Sequence, residues 1–113
     1  MINTTRFNQY KIMWTLVLFD LPTETKRQRK AAAQFRKSLM ADGFNMFQYS
    51  IYSRHSPSKE NSDVHVKRTV NALPDEGRVC IIRLTDKQFG DILVFDRAAK
   101  IEPPKESFQL ELF

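Results

Sequence analysis

Met13-Trp14-Thr15-Leu16-Val17-Leu18-Phe19-Asp20-Leu21-Pro22-Thr23-Glu24-Thr25-Lys26-Arg27-Gln28 decides the fold. Residues 13–19 are almost continuously apolar and rich in strand formers, and Asp20 with the turn-forming Pro22 closes the run. A run of this kind reads as a central strand buried on both faces. Thr25 and Gln28 then fit a capping box, in which the threonine hydroxyl accepts from the amide three residues on and the glutamine side chain reaches back. A helix is predicted to start there. Ala32, Phe35 and Leu39 recur at helical spacing as one apolar stripe, and Asp42-Gly43 ends the helix with glycine in the left-handed position, after about four to five turns.

Beyond Gly43 the period changes to two. Phe47, Tyr49 and Ile51 alternate with Met46, Gln48, Ser50 and Tyr52, so residues 44–52 read as a second strand. A loop is expected over 55–61. Ser62 follows as N-cap of a short second helix, with Asp63 in its first turn and Val66, Val70 and Leu73 as its apolar stripe before Pro74. Residues 78–84 form the next strand, 85–90 a turn, and 92–95 a last strand. The resulting order, β-α-β-α-β-β, suits an α+β sandwich with helices on one sheet face. It matches the ferredoxin-like order only if the single strand between the helices has a hairpin partner elsewhere. Phe108, Leu110 and Leu112 alternate with Gln109 and Glu111 behind Pro103-Pro104, a strand signature that needs an edge in its own chain or on a second copy. The expected organisation is a polar extension over 1–10, one domain over 11–96, and a linker with a C-terminal strand over 97–113.

At 113 residues the chain suits a single core, and 42% hydrophobic content with nine Phe, three Tyr and one Trp supplies one. Eighteen basic against thirteen acidic residues give +5 and an isoelectric point near 9.6, a field that favours polyanions. The single cysteine, Cys80, excludes an intrachain disulfide and a thiolate cluster, and its apolar surroundings predict a buried thiol. No apolar run approaches the ~18 residues of a membrane span. With no signal-like start, the expectation is a cytoplasmic protein without a membrane partner.

Two features could carry chemistry. Asp20 stands where the buried strand emerges, where a carboxylate could bind a hard cation; Asp before Leu-Pro-Thr is equally the chemistry of a turn. One carboxylate makes no nuclease site, but two Asp20 side chains meeting across a two-fold axis could share Mg2+ or Mn2+. The second feature is the basic helix. Lys26, Lys30 and Lys37 project to one side, with Arg29 and Arg36 beside them, opposite Phe35 and Leu39, and Arg27 adds a further cation. Cations in a first helical turn oppose the macrodipole by roughly 0.3–1 kcal/mol each, so Lys26 and Arg27 do not serve helix stability. Phosphate binding explains them; a solvated surface is the plain alternative. His55 and His65 have no ligand spacing, no serine has an activating pair, and the spacing of Gly43, Gly77 and Gly90 excludes a phosphate loop.

The string Val17-Leu18-Phe19-Asp20-Leu21-Pro22-Thr23, the basic helix, and Asp42-Gly43-Phe44 leading into Phe47-Gln48-Tyr49-Ser50-Ile51-Tyr52 resemble the CRISPR-associated protein 2 family, closest to its type II branch. The resemblance covers about residues 11–95. It implies a ferredoxin-like subunit, and hence a further strand between the helices, and a homodimer whose C-terminal strands, here Phe108, Leu110 and Leu112, dock on the partner. It implies Asp20 as catalytic residue and ligand of Mg2+ or Mn2+ in a metal-dependent endonuclease. It also implies a scaffold that bridges dimers of the CRISPR integrase, CRISPR-associated protein 1, and holds a double-stranded DNA spacer on Lys26, Arg27, Arg29, Lys30, Arg36 and Lys37. The scaffold is the favoured expectation, because each chain offers one acidic ligand and no general base. A free-standing endoribonuclease of toxin type is the alternative. A single-stranded RNA-binding module ranks third, because no Lys/Arg-Gly-Phe-x-Phe pattern is present.

Overall fold

The structure, a computed structural model, describes residues 11–97. The elements are β1 (Met13–Asp20), α1 (Lys26–Ala41), β2 (Asn45–Gln48), β3 (Ile51–Ser56), α2 (Lys59–Asn71), β4 (Arg78–Thr85) and α3 (Asp86–Gly90). The strands form one antiparallel sheet in the order β2-β3-β1-β4, which with the element order gives a ferredoxin-like α+β sandwich. β1 is central, as its unbroken apolar run requires. Its alternate residues feed two cores: Val17 and Phe19 pack with Phe35, Leu39, Phe44 and Tyr52 under the long helices, while Trp14 and Leu16 pack with Phe89 on the opposite face. The Trp14 ring stacks on Phe89 with centroids 3.9 Å apart, and its indole N–H donates to the Asp86 carboxylate at 2.7 Å.

α1 follows the sequence closely. Thr25 caps it, its hydroxyl accepting from the Gln28 amide while the Gln28 side chain accepts from the Thr25 amide, and Ala32, Phe35 and Leu39 are buried. Gly43 adopts φ +88°, and a β-carbon there would lie 2.0 Å from the Arg54 guanidinium, which donates to the Asp42 carbonyl. Only glycine both reverses the helix end and leaves room for that arginine.

Several expectations are corrected. The single strand over 44–52 is two strands, because Tyr49 and Ser50 form a tight turn that pairs Gln48 with Ile51. Ser50 takes φ +67° although neither Asn nor Gly marks the turn, so the alternation runs through it undisturbed. This hairpin supplies the further strand that the resemblance implies. The expected loop over 55–61 is shorter, since β3 continues to Ser56, and the N-cap of α2 is Ser58 rather than Ser62. α2 is also rotated about its axis from the expected stripe, which leaves Val66 half-buried. Its buried residues are Ser62, His65 and Thr69, with the Ser62 and Thr15 hydroxyls 3.1 Å apart, whereas Val70 and Leu73 are exposed. Polar residues fill the interface, Ser62 bonding to Thr15, His65 to Asp42 and Thr69 to the His65 carbonyl, which a search for apolar period cannot register.

The turn over 85–90 is α3, with its own capping box from Thr85 and Gln88, and 92–95 is not a strand. Cys80 is exposed, because the face of β4 that carries it is only partly covered by α3. Among the described residues no helix is long and apolar enough to cross a membrane. The extension over 1–10 and the proposed dimer strand of Phe108, Leu110 and Leu112 lie outside the described residues.

Candidate nucleic-acid interface

Asp20 is the last residue of β1, exposed, and opposite Arg78 of β4 in the antiparallel register. Pro22, which has no amide hydrogen, ends the strand. Two devices then fix the turn into α1. The Arg29 guanidinium donates to the carbonyls of Thr23 and Glu24, both at 3.1 Å. Gly77, at φ +101°, lets the α2–β4 connection press against the turn: a β-carbon there would meet the Asp20 carbonyl at 2.9 Å and a Leu21 methyl at 2.7 Å. Asp20 therefore sits on a rigid backbone while its carboxylate faces solvent.

By strand alternation Asp20 shares a sheet face with Leu18, Leu16 and Trp14. α3 covers the Trp14 end of that face. Toward Asp20, Leu18 is half-buried, and Cys80 and Ile82, its neighbours on β4, are exposed. The carboxylate thus stands beside an incompletely covered apolar patch. Among the described residues no three His, Cys, Asp or Glu side chains cluster as metal ligands. Among the described residues one chain presents a single carboxylate at this position, which does not chelate a divalent cation, and no chemical step through a metal follows from it.

The structure divides the six predicted cations of α1. Lys26, Lys30 and Lys37 are exposed on its outer face and make no hydrogen bond or ion pair with another described residue. Arg27 is also exposed and borders a pocket of about 320 Å³ lined by Pro22, Gln28, Pro74 and Glu76. Arg29 and Arg36 are partly committed to the fold. Arg29 ties down the turn, and Arg36 lies between two rings, its guanidinium carbon 5.6 Å from the Phe19 centroid and 5.2 Å from that of Tyr49, while donating to the Tyr49 hydroxyl at 3.2 Å. No acidic residue occupies the first turn of α1, so Lys26 and Arg27 reinforce the positive end of the helix dipole instead of offsetting it.

Two features escaped the sequence reading. Arg78 stands opposite Asp20, yet its sequence neighbours give no sign of it. Asp42, His65 and Arg68 form a cluster joining the end of α1 to α2, with His65 Nδ1 at 2.8 Å from one Asp42 carboxylate oxygen and Arg68 donating to the other at 2.8 Å. Burial alone would raise the Asp42 pKa, but the hydrogen bonds from His65 and Arg68 outweigh it and hold the carboxyl below its ordinary value. The cluster's role is structural: it locks α2 against the helix that carries the lysines.

Comparison with known proteins agrees with this architecture. Residues 13–92 match the family described as CRISPR associated protein Cas2. The CRISPR-associated endoribonuclease Cas2 of Flavobacterium psychrophilum is 53% identical over 109 residues, covering 96% of this chain and 95% of that protein. The protein of the same description from Parvibaculum lavamentivorans is 48% identical over 101 residues, covering 89% and 100%. A solved structure described as the crystal structure of cas2 superposes with a TM-score of 0.54 at 19% identity, covering 81% of this chain and 97% of that one, a likeness of fold. With a central strand ending in Asp20, a basic helix after it, and near full-length similarity to these relatives, the chain belongs to the CRISPR-associated Cas2 family.

Proposed function

We propose that this protein is the nucleic-acid-holding subunit of a CRISPR spacer-acquisition complex, a homodimer that bridges dimers of the CRISPR integrase, CRISPR-associated protein 1, and grips the spacer duplex by its phosphates. The observation that carries the reading is the set of lysines Lys26, Lys30 and Lys37, exposed along one face of a rigid helix with no hydrogen-bond or ion-pair partner among the described residues. Free cations spaced along a helix suit a phosphate backbone and read no sequence. The open apolar patch of Leu18, Cys80 and Ile82 supports pairing of two copies through this sheet face, with the strand of Phe108, Leu110 and Leu112 completing the partner's sheet. The test is co-purification with the integrase and spacer acquisition in cells. Asp20→Ala leaves both intact, whereas replacing Lys26, Lys30 and Lys37 together abolishes acquisition. Full acquisition by the lysine variant refutes the reading.

The names of the relatives, CRISPR-associated endoribonuclease Cas2, support a second reading, an endoribonuclease. If two copies pair so that their Asp20 carboxylates meet across the two-fold axis, the two would hold Mg2+ or Mn2+, which would supply a metal-activated water. The purified protein then cleaves RNA in the presence of Mg2+ and loses that activity in Asp20→Ala. Undiminished cleavage by the variant removes Asp20 from the chemistry.

A further inference from the structure

The turn between β2 and β3 presents a contradiction that the phosphate-binding reading does not absorb. Tyr49 is 74% exposed, yet it is held in place. Its hydroxyl accepts from Arg36, whose guanidinium is itself wedged against Phe19, and the carbonyl of the next residue, Ser50, accepts from the Phe19 amide at 3.1 Å. Ser50 adopts a left-handed φ of +67° to make this turn, a conformation that disfavours a residue with a β-carbon. An exposed tyrosine contributes little to the core, and a glycine at position 50 would turn the chain without strain. Strain retained where it adds nothing to packing is a mark of a working position.

We infer that Tyr49, backed by Arg36, is a stacking platform for an unpaired base of a bound nucleic-acid strand. The guanidinium occupies one side of the ring, fixing its orientation, and the remaining exposed ring surface is available to a base. Arg36 is followed directly by Lys37 of the basic face, and the Ser50 carbonyl is bound to the residue preceding Asp20, so the platform lies between the phosphate-gripping helix and the end of β1. A base within a duplex is already stacked on both sides, so the ring selects a base that has left the stack, at a single-stranded end or a frayed terminus. Such a contact is tolerant of sequence because every base has a π-face.

The inference rests on the nucleic-acid reading above, and the experiment separates the two. Fluorescence anisotropy with the full chain measures binding to a blunt duplex and to the same duplex with short single-stranded ends, one of which carries aminopurine as a reporter of stacking. The wild-type protein binds the tailed duplex more tightly and quenches the reporter. Tyr49→Ala binds the tailed duplex about tenfold more weakly, from the typical contribution of one stacked base, binds the blunt duplex as before, and does not quench. Tyr49→Phe keeps the ring and hence the preference. Equal binding of the tailed duplex by wild type and Tyr49→Ala, with unchanged quenching, overturns the platform and leaves the surface to a protein partner. If the wild type binds neither duplex, the nucleic-acid reading itself fails and the platform with it.

Discussion

Replacing Lys26, Lys30 and Lys37 together with Gln removes three positive charges without touching a contact that holds the fold. Lys26 and Lys37 are eleven residues apart, so their Cα atoms span about 16 Å of helix axis, at about 1.5 Å per residue. That length faces roughly five nucleotides of a strand at about 3.4 Å each, enough for three separate phosphates. Each neutralised phosphate adds about 0.9 to the slope of log K against log salt for duplex DNA, so the variant's slope is shallower by about 2.7 for each protomer that contacts the duplex. At 0.1 M salt the same term corresponds to a loss of affinity on the order of 10²- to 10³-fold. Stability should not suffer. Lys26 opposes the helix dipole by about 0.3–1 kcal/mol, so its removal holds or slightly raises the melting temperature. The assay is anisotropy with a labelled duplex over a series of salt concentrations, alongside thermal unfolding. Arg29→Gln is the contrasting variant: it frees the carbonyls of Thr23 and Glu24, so its melting temperature falls while its slope changes by less. A triple variant whose slope differs from wild type by less than about one unit refutes the assignment of the lysine face to phosphates.

Asp42→Asn weakens the link between α1 and α2 and destabilises the fold by about 1–3 kcal/mol, read from urea unfolding at neutral pH. Because the folded-state pKa of Asp42 is depressed, its ionised form stabilises the protein above the ordinary value of 3.8, and that contribution is lost as pH falls through the lowered pKa; the variant lacks this acid limb, and an identical limb would exclude Asp42 as its source. Gly77→Ala forces a β-carbon against the Asp20 carbonyl at positive φ, costing on the order of 1–3 kcal/mol in thermal unfolding; wild-type stability would show that the α2–β4 connection yields freely. Cys80, exposed in the single chain, becomes shielded if copies pair through the face of Leu18 and Ile82, so its maleimide labelling slows as protein concentration rises; a rate independent of concentration in a proven dimer places the interface elsewhere.

What the sequence revealed and what it hid differ by chemistry. β1 and α1 were legible because burial of Val17, Phe19, Phe35 and Leu39 follows periodicity, and because a capping box is a local motif that needs no tertiary partner. The outward direction of the lysines followed from the same helical projection. The turn at Tyr49 and Ser50 was hidden because a serine occupies a conformation that the usual turn residues announce. α2 was misplaced because its inner face is made of Ser62, His65 and Thr69, each of which resembles a surface residue when its partner is unknown. The division of the arginines was equally invisible: Arg29 and Arg36 match the lysines in charge, and only folding shows that their guanidinium groups serve a turn and a ring.

The two long helices are fastened to the sheet by different forces, and this sets how the domain opens. α1 is attached by Phe35 and Leu39, each contributing about 1.5–3 kcal/mol of apolar burial, so its amides are released only with the whole domain. α2 has no comparable apolar side chain among its buried residues and relies on hydroxyls and on the carboxylate of Asp42. Bonds that water can replace contribute less net free energy than apolar area that water cannot. α2 therefore lifts away as a separate unit below the global unfolding free energy, and under native conditions its amides exchange with deuterium ahead of those in α1 and β1.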